Sequence, residues 1–67
     1  MITQTDAIRN HMIVNGSITA LEAFNNYGCM RLAARVNDLR KLGYIIETQT
    51  EKKRGKRWAR YHLIGRV

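Results

Sequence analysis

Half of the chain's twelve Lys and Arg residues fall between Lys52 and Arg60, with no acid among them. Lys52, Lys53, Arg54, Lys56, Arg57 and Arg60 together make a local positive field that suits a polyanion: DNA, RNA or an acidic membrane surface. A basic surface that merely aids solubility is the plain alternative, but scattered charge would serve that purpose as well. A second group lies in Cys29 to Leu42. A guanidinium such as that of Arg31 can make paired bonds to a guanine edge, and the Asn37 amide can do the same for adenine. Ala34 lets a backbone approach closely or touches a thymine methyl. Arg35 and Lys41 suit phosphates, which set register without reading sequence. Ion pairs within the chain compete for two of these cations. Arg35 has Asp38 or Glu22 available, and Arg40, nearer the apolar face, has a nearby acid.

Little else has the spacing for chemistry. The five acids are scattered and form no carboxylate pair. His11, His62 and Cys29 match no zinc spacing, and Cys29 has no nucleophile motif around it, so packing is the expected role. No enzyme and no cofactor is expected. Trp58 and Tyr61 alternate with basic residues and can stack on exposed bases, or can serve as rim and core of a hairpin.

The elements that must carry these groups follow from period and capping. Residues 3–14 predict a first helix, capped by Thr3 with Asp6 in a capping box, or by Thr5. Ala7, Ile8, His11 and Met12 share its inner face. Ile13 points away, as a single exposed apolar side chain or a subunit contact. Asn15-Gly16 ends this helix, and Ser17-Ile18 forms a very short strand. Thr19 and Glu22 make a second capping box, starting a helix over about 20–26 with Ala20, Ala23, Phe24 and Tyr27 inward and Leu21 on the flank. Gly28 supplies a turn. A third helix is expected over 29–42, with Cys29, Leu32, Ala33, Val36 and Leu39 on the core face. Met30, Arg31, Ala34, Asn37, Asp38 and Lys41 then face a partner, and Gly43 closes the helix. From Tyr44 the period becomes two, predicting strands at about 44–50 and 58–64 around a charged loop, 51–57. A lone hairpin is marginal in water, so this one should pack on the helices through Tyr44, Ile46, Tyr61 and Leu63.

Sixty-seven residues suggest one domain with a modest core. A single cysteine excludes an internal disulfide. No apolar run approaches the ~20 residues of a membrane span. The first ten residues lack the charged start and apolar middle of a leader, so a cytoplasmic protein is expected.

Two short helices joined by a tight turn, followed by a basic hairpin, resemble the winged helix-turn-helix architecture, an α+β fold of three helices, a very short first strand and a C-terminal hairpin wing. Gly16 to Thr48 is more narrowly similar to the small helix-turn-helix domain proteins of bacteriophages and prophages. Ser17-Ile18-Thr19, Glu22-Ala23, Tyr27-Gly28-Cys29, Arg31 to Arg35, Asp38-Leu39-Arg40 and Gly43-Tyr44 carry the likeness. It implies a double-stranded DNA-binding regulator in a bacterial cell, with the third helix in the major groove and the wing on phosphates or in the minor groove. Repressor-type motifs place apolar residues six and nine positions after the turn glycine. Counted from Gly28, those places hold Ala34 and Asn37, so the turn here is set differently. Two other roles fit the same features: an excisionase-like factor that bends DNA, and a phage inhibitor that docks on a host protein. One small module presents little surface, so a homo-oligomer or a cooperative partner on DNA is expected.

Overall fold

Two capping boxes start two of the three helices. In the computed structural model, which describes residues 3–67, helix α1 spans Gln4–Asn15 with Thr3 as its cap. Residues 1–2, the start of the stretch read above for a leader, lie outside it. The Asp6 N–H donates to Thr3 Oγ1 at 3.1 Å and the Thr3 N–H to Asp6 Oδ2 at 3.4 Å, so Thr3 and not Thr5 is the cap. Strand β1, Ser17–Thr19, leads directly into α2, Ala20–Tyr27. There the Glu22 N–H donates to Thr19 Oγ1 at 3.2 Å and the Thr19 N–H to Glu22 Oε1 at 2.9 Å. Ile8 and Met12 of α1 are fully buried, and His11 Nδ1 lies 2.8 Å from the Tyr27 hydroxyl, fastening α1 to α2.

Helix α3 spans Leu32–Lys41, shorter than the expected 29–42. The turn explains the late start. The Gly28 N–H donates to Phe24 O at 2.9 Å and the Cys29 N–H to Ala23 O at 3.2 Å, so residue 29 is spent closing α2. No Ser, Thr, Asp or Asn lies at 29–31 to cap an earlier start, and Arg31 begins α3 without a side-chain cap. Cys29 still reaches the core, but from the turn.

The late start narrows the inward set. Leu32, Val36 and Leu39 form its buried stripe, four, eight and eleven places after Gly28. Ala33 is exposed rather than inward, and Ala34 is half-buried rather than open. In α2, Ala23 is buried and Tyr27 packs beside it. Phe24 and Ala20 are exposed, contrary to their expected inward positions. The eight-residue helix is too short to turn a wider stripe inward.

Gly43 then redirects the chain. Its φ is +99°, in the left-handed region, and a Cβ added there would lie 3.2 Å from Val67 O. The Val67 N–H donates to Gly43 O at 2.7 Å, tying the last residue to this corner. Strands β2, Tyr44–Lys53, and β3, Lys56–Arg66, complete an antiparallel sheet of order β1-β3-β2. Ile46 is buried, and Tyr44, Tyr61 and Leu63 pack against the core, as the alternation predicts. Opposite Ile45 and Ile46 the register shifts by one, and Ile64 is the extra, unpaired residue of a bulge in β3. That extra residue resets the alternation, so Arg66 comes opposite Tyr44 and places its guanidinium 5.1 Å from the ring centroid.

Candidate nucleic-acid interface

At 100° per residue, α3 exposes a strip centred on Asn37. Ala33 and Lys41 lie about 40° to either side of it, and all three are exposed. Arg40 borders the strip, where its Nη2 donates to Ile46 O at 2.7 Å and to Thr48 Oγ1 at 3.3 Å. Arg40 therefore pins α3 to β2 through a carbonyl and a hydroxyl; the acid partner anticipated for it is not used. The open strip runs up to β2 at this point.

The candidate readers divide. Asn37 is in the strip. Arg31 is exposed but lies in the turn that precedes the helix, not on its outer face. Ala34 borders the strip half-buried, and Ala33 takes the exposed place beside Asn37. Ala33 was expected inward because Cys29, which lies in the turn and not in α3, was counted on the core face beside it. Of the two phosphate candidates, Lys41 belongs to the strip. Arg35 lies across the helix from Asn37, half-buried, with Nη2 3.5 Å from Asp38 Oδ2. The internal pair anticipated for Arg35 is thus the one it forms.

The charged segment 51–57 is not a loop. Pairing continues to Lys52↔Arg57 and Lys53↔Lys56, and only Arg54 and Gly55 turn the chain. Both have positive φ, 51° and 78°, the backbone of the two-residue turns that match hairpin twist. Gly55 takes this conformation without strain, whereas Arg54 is the one described non-glycine residue that adopts it. Cross-strand partners share a face. Lys52 and Arg57 lie on the sheet face of Ile46 and Leu63, the helix side, while Lys53 and Lys56 lie on the opposite face. Like charges directly opposite one another are destabilising. Two such pairs are stacked at this tip, and none of the five cations from Lys52 to Arg57 has an acidic partner among the described residues.

Arg60 does not belong with them. It sits in β3 between Gln49 and Thr19, and its side chain is 26% exposed. Its Nε donates to Glu51 Oε1 at 2.8 Å, and its Nη1 to Ser17 Oγ at 3.1 Å and Glu22 Oε1 at 3.3 Å. Trp58 Nε1 donates to the same Glu51 oxygen at 2.6 Å. Arg60 holds the Glu51 carboxyl below the usual carboxylate range, with the Trp58 bond as the next cause. Glu51 in turn raises Arg60. The guanidinium expected to meet phosphate is therefore committed inside the protein. Trp58 and Tyr61 point to opposite faces of β3, which separates them as a stacking pair. The positions of Glu51 and Ser17 in this network were not foreseen from sequence.

Among the described residues no three metal-ligating side chains gather, and no helix is long and apolar enough to cross a membrane. Three helices with a short strand, a tight helix-turn-helix and a basic C-terminal hairpin define a winged helix domain. The winged helix-turn-helix domain family model matches residues 3–66, and the chain belongs to that family. DNA binding is the general activity this membership supports, and such domains are typically non-enzymatic. No curated protein and no solved structure matches the chain.

Proposed function

We propose that this chain is a sequence-reading regulator that binds double-stranded DNA with α3 in the major groove and the hairpin as its wing. In this reading Asn37 meets an adenine edge, flanked by Ala33 and Ala34, while Arg31 meets a base or phosphate at the helix entry. Lys41 contacts phosphate. Lys52 and Arg57 extend that contact along the helix side of the sheet. Arg54 leads the tip toward the minor groove, where negative potential is concentrated, with Lys53 and Lys56 on the far wall. A phage or prophage regulator working in a bacterial cytoplasm is the role that the resemblance to small phage helix-turn-helix proteins favours.

The observation that carries this reading is the wing tip. Stacked like-charged pairs and a strained Arg54 are costly in the isolated protein, and a polyanion relieves the repulsion. Selection of bound duplexes from a random pool, followed by binding across a salt series, tests it. An enriched motif is expected. With about six phosphates neutralised, log K should fall with log salt at a slope of roughly −5. A chain that ignores duplex DNA at low salt would refute the reading.

A further inference from the structure

Glu51 is the last acid in the chain, and it stands at the root of a cationic tip. By charge alone it weakens attraction to phosphate. Its geometry gives it another task. One oxygen, Oε1, accepts from Trp58 on the facing strand and from Arg60, at 2.6 and 2.8 Å. Arg60 passes the connection on to Ser17 of β1 and Glu22 of α2. Glu22 Oε1 also takes the Thr19 N–H at the cap of α2. Helix α2 leads through the turn to α3. A continuous path of charge-assisted bonds thus joins the wing to the helix pair. The Glu51–Trp58 bond is also the last attractive side-chain contact across the hairpin before the tip; beyond it face only Lys52↔Arg57 and Lys53↔Lys56.

We propose that Glu51 and Arg60 are positioning residues: they fix the angle of the wing against α2 and α3, and so set discrimination between DNA sites without touching DNA. The inference rests on the DNA-binding reading above. A wing free to swing still finds phosphates, because these are everywhere along a duplex, but it no longer holds α3 in one register over the bases. Removing the pair therefore costs discrimination more than affinity.

Four proteins test this: wild type, Glu51→Gln, Glu47→Gln and Arg60→Lys. Glu47 lies on the same strand and the same sheet face as Glu51, exposed and outside the network, so it controls for charge. Dissociation constants are measured at one salt concentration for the selected duplex and for a random duplex. Glu47→Gln is expected to tighten both alike and leave their ratio unchanged. Glu51→Gln is expected to hold or tighten random binding while the ratio falls about tenfold, the scale of one mismatched base pair. Arg60→Lys keeps the charge but cannot bridge Glu51 to Ser17 and Glu22 together. It should lower the ratio similarly while keeping the salt slope. If Arg60 instead bound phosphate directly, the shorter lysine would miss it and the slope would become shallower. The Trp58 indole N–H resonance reports the broken bond in the folded variants. If Glu51→Gln matches Glu47→Gln, or Arg60→Lys keeps the wild-type ratio, the inference is overturned and the DNA reading stands. If wild type itself shows no preference among duplexes, the DNA reading falls and takes the inference with it.

Discussion

Asn37 is the residue at the centre of the open strip of α3, and its amide is the group there with both a donor and an acceptor. Asn37→Ala is expected to cost about 1–3 kcal/mol of discrimination at one base pair and to leave the salt slope unchanged. Arg31→Ala should blur the preferred site by a similar amount if Arg31 reads a base; if it only meets phosphate, binding to all duplexes weakens together. Selections repeated with each variant separate these outcomes. Acid provides a third residue-level test. The folded Glu51 carboxyl is held below its unfolded value by Arg60 and then Trp58. The bond's contribution is therefore full above the ordinary glutamate value of about 4.3 and is lost as pH falls through the lowered one. The Trp58 indole resonance should therefore move at a lower pH than an ordinary glutamate titrates, and in Glu51→Gln that transition should vanish. At this scale legibility depended on distance along the chain. Thr19 and Glu22 are three positions apart and declare their bond. Two partners of Arg60, Glu22 and Ser17, lie 38 and 43 positions away and the third, Glu51, sits on the facing strand, beyond any spacing rule, so its charge suggested a phosphate contact when the fold had already used it.

Elements were legible where local chemistry decides them. Both capping boxes, the two-residue alternation from Tyr44 and the inward set Tyr44, Ile46, Tyr61 and Leu63 follow from pattern alone. The start of α3 does not, because backbone bonds of the turn set it and no polar cap marks it. Nor does the true length of the wing. A run of like charges looks like a solvated loop, and only the short Arg54-Gly55 turn reveals that its flanks pair. Two variants weigh these elements. Thr19→Ala removes an oxygen that accepts the Glu22 N–H, at about 1 kcal/mol of stability by denaturant melt. Replacing Arg54, Lys56 and Arg57 together with Ala is expected to weaken every duplex alike and to flatten the salt slope by about three. The same variant relieves both repulsive pairs, while alanine at 54 keeps the left-handed backbone no easier than arginine does, so its melting temperature should not fall. A drop in stability would show that those side chains help hold the hairpin.

For the molecule as a whole, a small core and a large charge pull against each other. Among the described residues nine buried apolar side chains, Ile8, Met12 and Ile18 among them, hold together a chain of formal charge +7. Ile8→Ala, at a fully buried site shared by α1 and its neighbours, should cost about 2–5 kcal/mol. In a domain of this size that is a large share of the total, and circular dichroism should show a partly unfolded protein at 37 °C. The overall arrangement was readable from the order of elements, but how α3 and the hairpin are held together was not. Arg40 and Arg60, each fastening β2 to a helix, are known only once the chain is folded.

The central claim is that the open strip of α3 and the wing meet one duplex together. Titrating the isotope-labelled protein with its selected duplex and following backbone amide resonances tests it most directly. Ala33, Asn37, Lys41 and the segment 52–57 are expected to shift in the same concentration range, with α1 nearly silent. Shifts concentrated on α1, or a wing that responds while α3 does not, would contradict the account.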